Sequence, residues 1–173
     1  FSPGMGSTWW RPRPNCESRW LEDLVQYNSF TEWYQNILKF DDGPTRQYHN
    51  ETYGKDFDYD DFAPQFNDAV KQWNPDSWAQ LFETIGARYV VLITKHHDGF
   101  TLWPSKFPCP RKPNYFTERD LVGDITNAVR DHGMKMGLYY SGGLDWAFNE
   151  ARIEKSEDVW QTIVEEPEFV EYS

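Results

Sequence analysis

The sequence predicts an α/β protein, because strand-like and helix-like segments alternate along its second half. Two apolar runs, Ala87–Lys95 and Met134–Ser141, are rich in β-branched and aromatic residues and hardly alternate with polar ones. Such runs are typical of parallel strands that are buried on both faces. A loop and an amphipathic helix separate them, which is the crossover that parallel pairing requires.

Three segments carry helix signals: 30–39, 74–86 and 119–133. Thr31 and Asn74 are suited to N-cap positions, and Pro75 and Gly86 mark the start and end of the second helix. Apolar residues recur at the spacing of one buried helical face. The predicted inward faces hold Trp33, Tyr34, Ile37 and Leu38, then Trp78, Leu81, Phe82 and Ile85, then Leu121, Val122, Ile125, Ala128 and Val129.

Three other segments are predicted to be loops. Residues 1–28 combine glycine, proline and paired tryptophans, and residues 104–117 are rich in proline. Residues 41–74 form an acidic stretch without a clear period. Its aromatic residues are predicted to anchor it on the core: Tyr53, Phe57, Tyr59, Phe62 and Phe66.

Composition excludes some classes of function. The formal charge of −11 and a pI near 4.7 repel phosphate backbones, so nucleic acid is an improbable partner. No stretch approaches the roughly 18 consecutive apolar residues of a membrane span. Cys16 and Cys109 show no metal-ligand spacing and cannot form a disulfide framework.

Aromatic residues make up 18% of the chain, including nine tryptophans. Indole faces stack on the C–H faces of sugar rings, and the polar tips of tyrosine and tryptophan bind hydroxyl groups. Carbohydrate is therefore one explanation of this excess. Filling of the core is the other, and it is favoured for any single tryptophan.

Polar side chains follow both predicted strands. His96 and His97 come directly after the first strand, and the second ends near Tyr139 and continues to Asp145 and Trp146. In barrel enzymes the active site lies at the carboxyl ends of parallel strands. We therefore predict a site here that suits a polyhydroxylated ring.

The other two histidines are predicted to lie elsewhere. His132 precedes the second strand and so belongs to the opposite end, and His49 is expected to be a surface or packing residue. A metal site is disfavoured, because His96 and His97 are adjacent and adjacent strand residues point to opposite faces. Only Asp98 follows them directly as a further ligand.

Glycoside hydrolysis needs two carboxyl groups, about 5 Å apart when the configuration is retained. Glu32, Asp98 and Asp145 are the available candidates. Asp98 could be a nucleophile, but an aspartate in this turn equally suits capping the turn or orienting a histidine. The residues alone leave these alternatives open.

Several motifs resemble the α-L-fucosidases of glycoside hydrolase family 29. The most specific is Thr94-Lys-His-His-Asp-Gly-Phe, and Glu32-Trp-Tyr and Gly137-Leu-Tyr-Tyr-Ser-Gly-Gly-Leu-Asp-Trp accompany it. The match spans roughly residues 31–146. The resemblance implies a (β/α)8-like catalytic barrel and a retaining hydrolase that removes terminal α-L-fucose from glycans, with no metal or organic cofactor.

The resemblance also implies roles for individual residues. It places His96 and His97 in the fucose pocket as hydrogen-bonding partners of ring hydroxyls, with Glu32 and Trp33 reaching the same pocket and Tyr139 near the reacting centre. Two further residues match the family pattern less closely and are implied to form the wall of the pocket: Trp103 and Trp146. A fucosylated glycan is the implied partner, and a secreted, periplasmic or lysosome-like compartment is implied.

The family pattern extends beyond what this sequence supplies. Its first-strand histidine motif, its nucleophilic aspartate and its acid/base have no counterpart here. Residues 1–173 are therefore expected to be part of one barrel domain, truncated at both ends and lacking the first strand and later strands. We expect this piece to be inactive by itself.

Two alternatives remain. A non-catalytic fucose-binding or carbohydrate-binding barrel would keep the histidines and tryptophans but lack the catalytic aspartate. A metal-dependent barrel hydrolase would bind a divalent ion through His96, His97 and a carboxylate, and it would lose activity to a chelator. The sequence does not predict an oligomeric state.

Overall fold

A computed structural model of the chain describes residues 33–149, 151–155 and 157–159. Within these ranges two short 3₁₀ turns cover Tyr59–Asp61 and Val70–Gln72. The helices and strands, in chain order, are α1 (Tyr34–Ile37), α2 (Pro44–Tyr53), α3 (Phe62–Ala69), α4 (Pro75–Thr84), β1 (Tyr89–Lys95), α5 (Leu121–Asp131) and β2 (Lys135–Tyr140).

The two strands pair in parallel, which confirms the predicted α/β class. Tyr89 lies opposite Lys135, and the register continues to a shift between Ile93 and Lys95, where Lys95 comes to face Tyr140. Strand β2, which follows α5, therefore runs beside β1 in the same direction. Both strands end at one edge of the sheet, and the residues that follow them are brought together there.

The core lies between the sheet and helices α4 and α5. Ala79 of α4 meets α5 and the start of β2, and Val90, Leu92 and Met136 pack on this cluster from the strands. The predicted inward face of α5 is confirmed by its buried residues: Leu121, Ile125, Ala128 and Val129.

Two burial predictions are wrong for the described residues. The α4 stripe is largely exposed, with Trp78, Leu81 and Ile85 at 43, 57 and 71% exposure, because α4 packs through Ala79 instead. Neither strand run is buried on both faces, and in β2 Leu138 is 59% exposed. In β1, the exposed side chains are those of Tyr89, Val91 and Ile93, which point away from α5. The described helices cover the other face of the sheet.

The loop prediction for residues 41–74 is also wrong, because α2 and α3 lie there. Helix α2 begins at Pro44 after Gly43 and buries Thr45 and His49, which are polar and leave no apolar stripe to detect. Helix α3 follows a turn that Asp58 caps. Two of the predicted aromatic anchors are buried beside α1: Tyr59 and Phe62.

The predicted helix ends agree better with the structure. The Asn74 carboxamide caps α4 by accepting a hydrogen bond from the Asp76 N–H at 3.0 Å, and Gly86 follows the helix with a φ of +82°. Helix α1 ends at Ile37, two residues before the end predicted for the segment 30–39. The proposed cap Thr31 lies outside the described residues.

Candidate functional site

The two adjacent histidines lie in the turn that leaves β1. The strand ends at Lys95, so the alternation of a strand no longer applies to His96 and His97. Their ring centroids are only 4.1 Å apart, in an edge-on arrangement. The expectation that the two side chains point to opposite faces is therefore wrong.

His97 lies in a ring of polar and aromatic contacts. Its Nδ1 is 3.0 Å from the Ser141 Oγ, which comes from the end of β2. The Trp33 and Trp146 rings lie edge-on to it, with centroid distances of 5.9 and 5.6 Å. The backbone carbonyl of His97 accepts a hydrogen bond from the Trp146 N–H at 2.7 Å. The ring is therefore held by residues distant in sequence.

This surrounding keeps the His97 imidazole neutral. Burial lowers its pKa from 6.5 to about 4, and the neighbouring His96 acts in the same direction. A hydrogen bond with the Leu144 backbone opposes the shift without cancelling it. A neutral imidazole has one nitrogen that donates and one that accepts, which suits it to bind a hydroxyl group.

His96 presents a hydrogen-bond donor beside it. The His97 N–H donates to the His96 Nδ1 at 2.9 Å, so in neutral His96 the proton resides on Nε2. The ring stacks on Tyr139, with a centroid distance of 5.7 Å and an interplanar angle of 20°. Tyr139 is 45% exposed.

Five rings thus form what we call the ring cluster: Trp33, His96, His97, Tyr139 and Trp146. The two indoles meet at 5.2 Å, and Trp146 is nearly buried behind the others. Trp103 pairs instead with Tyr140, at 6.4 Å. Glu32 lies outside the described residues. The structure therefore brings together five of the seven residues that the sequence singles out.

The two aspartates of this edge are engaged by the protein itself. Asp98 is buried, and its oxygens accept hydrogen bonds from the Phe100 N–H and the Tyr59 hydroxyl, both at 3.2 Å. Burial raises the pKa of this carboxyl group. Asp98 therefore caps its turn, which is one of the alternatives that the sequence left open. Asp145 forms an ion pair with Lys95 at 3.0 Å.

Sequence reasoning missed Lys95. Its side chain and that of Asp145 are fully buried, and its ammonium also donates to the Ser141 carbonyl at 3.0 Å. A lysine within an apolar strand run was the available signal, because a buried ammonium requires a partner. The sequence could not name a partner that lies fifty residues further along.

The remaining histidines lie away from the ring cluster. His49 is buried as a packing residue, with Nδ1 at 2.9 Å from the Tyr34 hydroxyl and Nε2 at 2.8 Å from the Phe57 carbonyl. The packing alternative for His49 is therefore confirmed. His132 bridges two carboxylates of α4, Asp76 and Glu83.

Among residues 33–149, 151–155 and 157–159, no group of three or more His, Cys, Asp and Glu side chains is arranged to hold a metal ion. In the same ranges, every helix is too short or too polar to cross a membrane.

The fold and the ring cluster together define an α/β protein with polar and aromatic side chains gathered at the carboxyl ends of parallel strands, where barrel enzymes bind their ligands. Comparison with known proteins is more specific. The family profile described as Alpha-L-fucosidase matches residues 21–172. The chain belongs to the alpha-L-fucosidase family.

Individual relatives agree with this assignment. Tissue alpha-L-fucosidase of Mus musculus is 38% identical over 163 residues, which cover 84% of this chain and 34% of the mouse protein. An alpha-L-fucosidase of Branchiostoma floridae is 36% identical and covers 94% of this chain and 38% of that protein. The chain thus spans about a third of the length of these relatives.

A solved structure extends the similarity to the fold. Thermotoga maritima alpha-fucosidase in complex with fucose is 41% identical, with a TM-score of 0.78 over 87% of this chain and 35% of that chain. The similarity therefore holds for most of the chain in sequence and in three dimensions.

Proposed function

We propose that this chain carries part of the sugar pocket of an α-L-fucosidase, a retaining glycoside hydrolase that removes terminal α-L-fucose from glycans. The observation that carries the proposal is the ring cluster at the carboxyl ends of β1 and β2, in a chain of this family. A sugar ring offers C–H faces to the indoles and hydroxyls to the imidazoles and the phenol.

Within that pocket, His96 donates through Nε2 and neutral His97 binds a second hydroxyl. Tyr139, which is 45% exposed, contributes its phenol near the reacting centre. Trp33 stands at the pocket with Glu32 before it in sequence, and the pocket wall is completed by two further indoles: Trp103 and Trp146. No residue of this set has to carry a positive charge, which suits a neutral sugar.

The parallel strands β1 and β2, which α5 connects, support a (β/α)8-like barrel. In this proposal, residues 1–173 are part of that single catalytic domain. A retaining hydrolase needs two carboxyl groups about 5 Å apart with access to the substrate. Asp98 and Asp145 are engaged by Tyr59 and Lys95. We therefore assign neither as nucleophile or acid/base.

The test uses the protein expressed from its complete reading frame and an aryl α-L-fucoside, followed by proton NMR. Release of fucose with retained α configuration supports the proposal. Inverted product or the absence of both binding and cleavage contradicts it. Binding without cleavage indicates the carbohydrate-binding alternative, and loss of activity with a chelator indicates the metal-dependent one.

Two histidine variants make this test specific to the site. His97→Ala removes a ring of the cluster and is expected to lower kcat/KM by about a hundredfold or more. His132→Ala is the matched control, because its contacts are with Asp76 and Glu83 on α4. It is expected to keep kcat/KM unchanged, and equal losses in both variants would contradict the assignment of the pocket.

A further inference from the structure

The fully buried ion pair between Lys95 and Asp145 lies directly behind the ring cluster. The Lys95 Nζ is 3.0 Å from the Asp145 Oδ2 and donates to the Ser141 carbonyl at 3.0 Å. Both charged side chains have no exposed surface. Each charge therefore depends on the other, because an ammonium or carboxylate without a partner is strongly unfavourable in the interior.

A second hydrogen bond joins Lys95 to Ser141. The Ser141 N–H donates to the Lys95 carbonyl at 3.0 Å, so Lys95 holds Ser141 through its backbone and through its side chain. The Ser141 hydroxyl in turn lies 3.0 Å from the His97 Nδ1. A continuous chain of contacts thus runs from the buried ammonium to the imidazole.

Asp145 closes the other side of this arrangement. Its Oδ1 accepts a hydrogen bond from the Ala147 N–H at 2.9 Å, and the next residue, Trp146, donates its N–H to the His97 carbonyl. The carboxylate also packs on Gly99, where an added Cβ would lie only 2.8 Å from Oδ2. The segment that touches His97 on two sides is therefore pinned at both of its ends.

We propose that Lys95 is a positioning residue of the sugar pocket: its ion pair with Asp145 holds the Ser141 hydroxyl against His97 and so fixes the orientation of the imidazole. This inference rests on the proposed function only where it assigns His97 to sugar binding. An imidazole that hydrogen-bonds one sugar hydroxyl binds the sugar more tightly when its orientation is fixed before the sugar binds.

The test compares His97 in the complete protein with and without the ion pair. The double variant Lys95→Met/Asp145→Asn removes both charges, so neither remains buried alone. Isotope-labelled histidine reports the imidazole by NMR, with the His97 signals identified by their loss in His97→Gln. The matched control is Lys112→Met/Asp60→Asn, which removes the ion pair of 2.7 Å between the Lys112 Nζ and the Asp60 carboxylate.

We expect the double variant to raise the pKa of His97 from about 4 towards the ordinary 6.5, because a loosened Ser141–Trp146 segment lets water reach the imidazole and relieves the burial that lowers its pKa. We also expect its Kd for L-fucose to rise about tenfold, as for loss of one hydrogen bond. The control is expected to change neither quantity. A folded double variant with the wild-type His97 signals would overturn the proposal, as would an altered His97 with unchanged L-fucose affinity.

Ser141→Ala covers the case in which the double variant does not fold, because it removes the hydroxyl contact without leaving a buried charge. It is expected to move the His97 signals in the same direction, and an unmoved imidazole would overturn the proposal. Failure of the proposed function is distinguishable, because the wild-type protein would then not bind L-fucose while the NMR comparison still decides the role of Lys95.

Discussion

His97 and His132 lie at opposite ends of the β-α-β unit, and the protein shifts their pKa values in opposite directions. Burial lowers the pKa of His97 to about 4. Hydrogen bonds to Glu83 and Asp76 raise the pKa of His132, whose side chain is 21% exposed. One end of the unit thus holds a neutral imidazole and the other favours an imidazolium.

The difference shows how each end satisfies its polar groups. Behind His97, charges are paired inside the protein, as in the fully buried contact of Lys95 with Asp145. Around His132, the partners are the carboxylates of Glu83 and Asp76, whose side chains are 58 and 70% exposed to water. We therefore expect changes at the His97 end to cost more than equivalent changes at the His132 end.

The largest expected effect comes from a pair of glycine substitutions. Gly99 and Gly133 both have positive φ, +78° and +73°, so Ala is strained at either position. At Gly99 the new Cβ would also lie 2.8 Å from the Asp145 carboxylate, whereas at Gly133 it meets no atom within 4 Å. Gly99→Ala should destabilise by about 2–4 kcal/mol and Gly133→Ala by about 1 kcal/mol.

Chemical denaturation of both variants measures this difference. The Gly99→Ala variant is also expected to lose affinity for L-fucose, because Asp145 and the segment that contacts His97 must shift to admit the methyl group. Equal free energies of unfolding for the two variants would show that the strain of positive φ dominates and that the buried end is no more tightly packed than the other.

The second largest effect is expected at Asn36, which ties α1 to the segment after Trp146. Its carboxamide donates to the Ile153 carbonyl at 3.0 Å and accepts from the Ile153 N–H at 2.9 Å, with no surface exposed. Asn36→Ala leaves both backbone groups without a partner and should cost about 2–3 kcal/mol. Trp33 precedes α1, so its contact with Trp146 should loosen as well.

An exposed amide on a neighbouring helix provides the control. Gln47 bonds Glu51 at 2.9 Å on the surface of α2, and Gln47→Ala should change the free energy of unfolding by less than about 0.5 kcal/mol. Thermal unfolding with tryptophan fluorescence measures stability and the indole environment together. A small effect of Asn36→Ala would mean that water readily replaces the bond to Ile153.

Periodicity and capping signals predicted the fold where one face of an element is apolar. The β1–α5–β2 unit is of this kind, and α4 was found from Asn74 and Pro75. The same reasoning missed α2, because its buried side chains include Thr45 and His49 and therefore leave no apolar pattern. It overestimated the burial of β1 and of the α4 stripe, because a sequence shows which residues are apolar and not which neighbour covers them.

The ring cluster was predicted in part for a related reason. Strand ends and residue types located His96, His97 and Tyr139, because the chemistry of those side chains is visible in the sequence. The partners that hold them were not visible. The ion pair of Lys95 with Asp145 joins residues far apart in the chain, and only the parallel pairing of β1 with β2 brings them together.

The third prediction concerns the pH dependence of His97. Its pKa is lowered from 6.5 to about 4, so between these values the unfolded chain binds a proton that the folded protein does not. The stability of the wild-type protein relative to His97→Gln should therefore fall as pH drops from about 6.5 to about 4. Above 6.5 the difference should be constant. Melting temperatures across this range measure it, and a constant difference at all pH values would mean that His97 is not shielded from water.

The smallest effect is expected at His132, where the sign is reversed. Its pKa is raised by Glu83 and Asp76, so its contribution to stability is fully present below 6.5 and is lost as pH rises through the folded pKa. His132→Gln should lower the melting temperature slightly in mildly acidic buffer and not in alkaline buffer.

The exposed setting of His132 adds a test that His97 does not offer. Salt screens contacts between exposed charges, so raising the ionic strength to about 1 M should remove most of the difference between wild type and His132→Gln. The same salt should leave the difference between wild type and His97→Gln unchanged, because desolvation rather than a surface ion pair sets that pKa. If salt altered both differences equally, the contrast between a buried and an exposed end would not explain the two histidines.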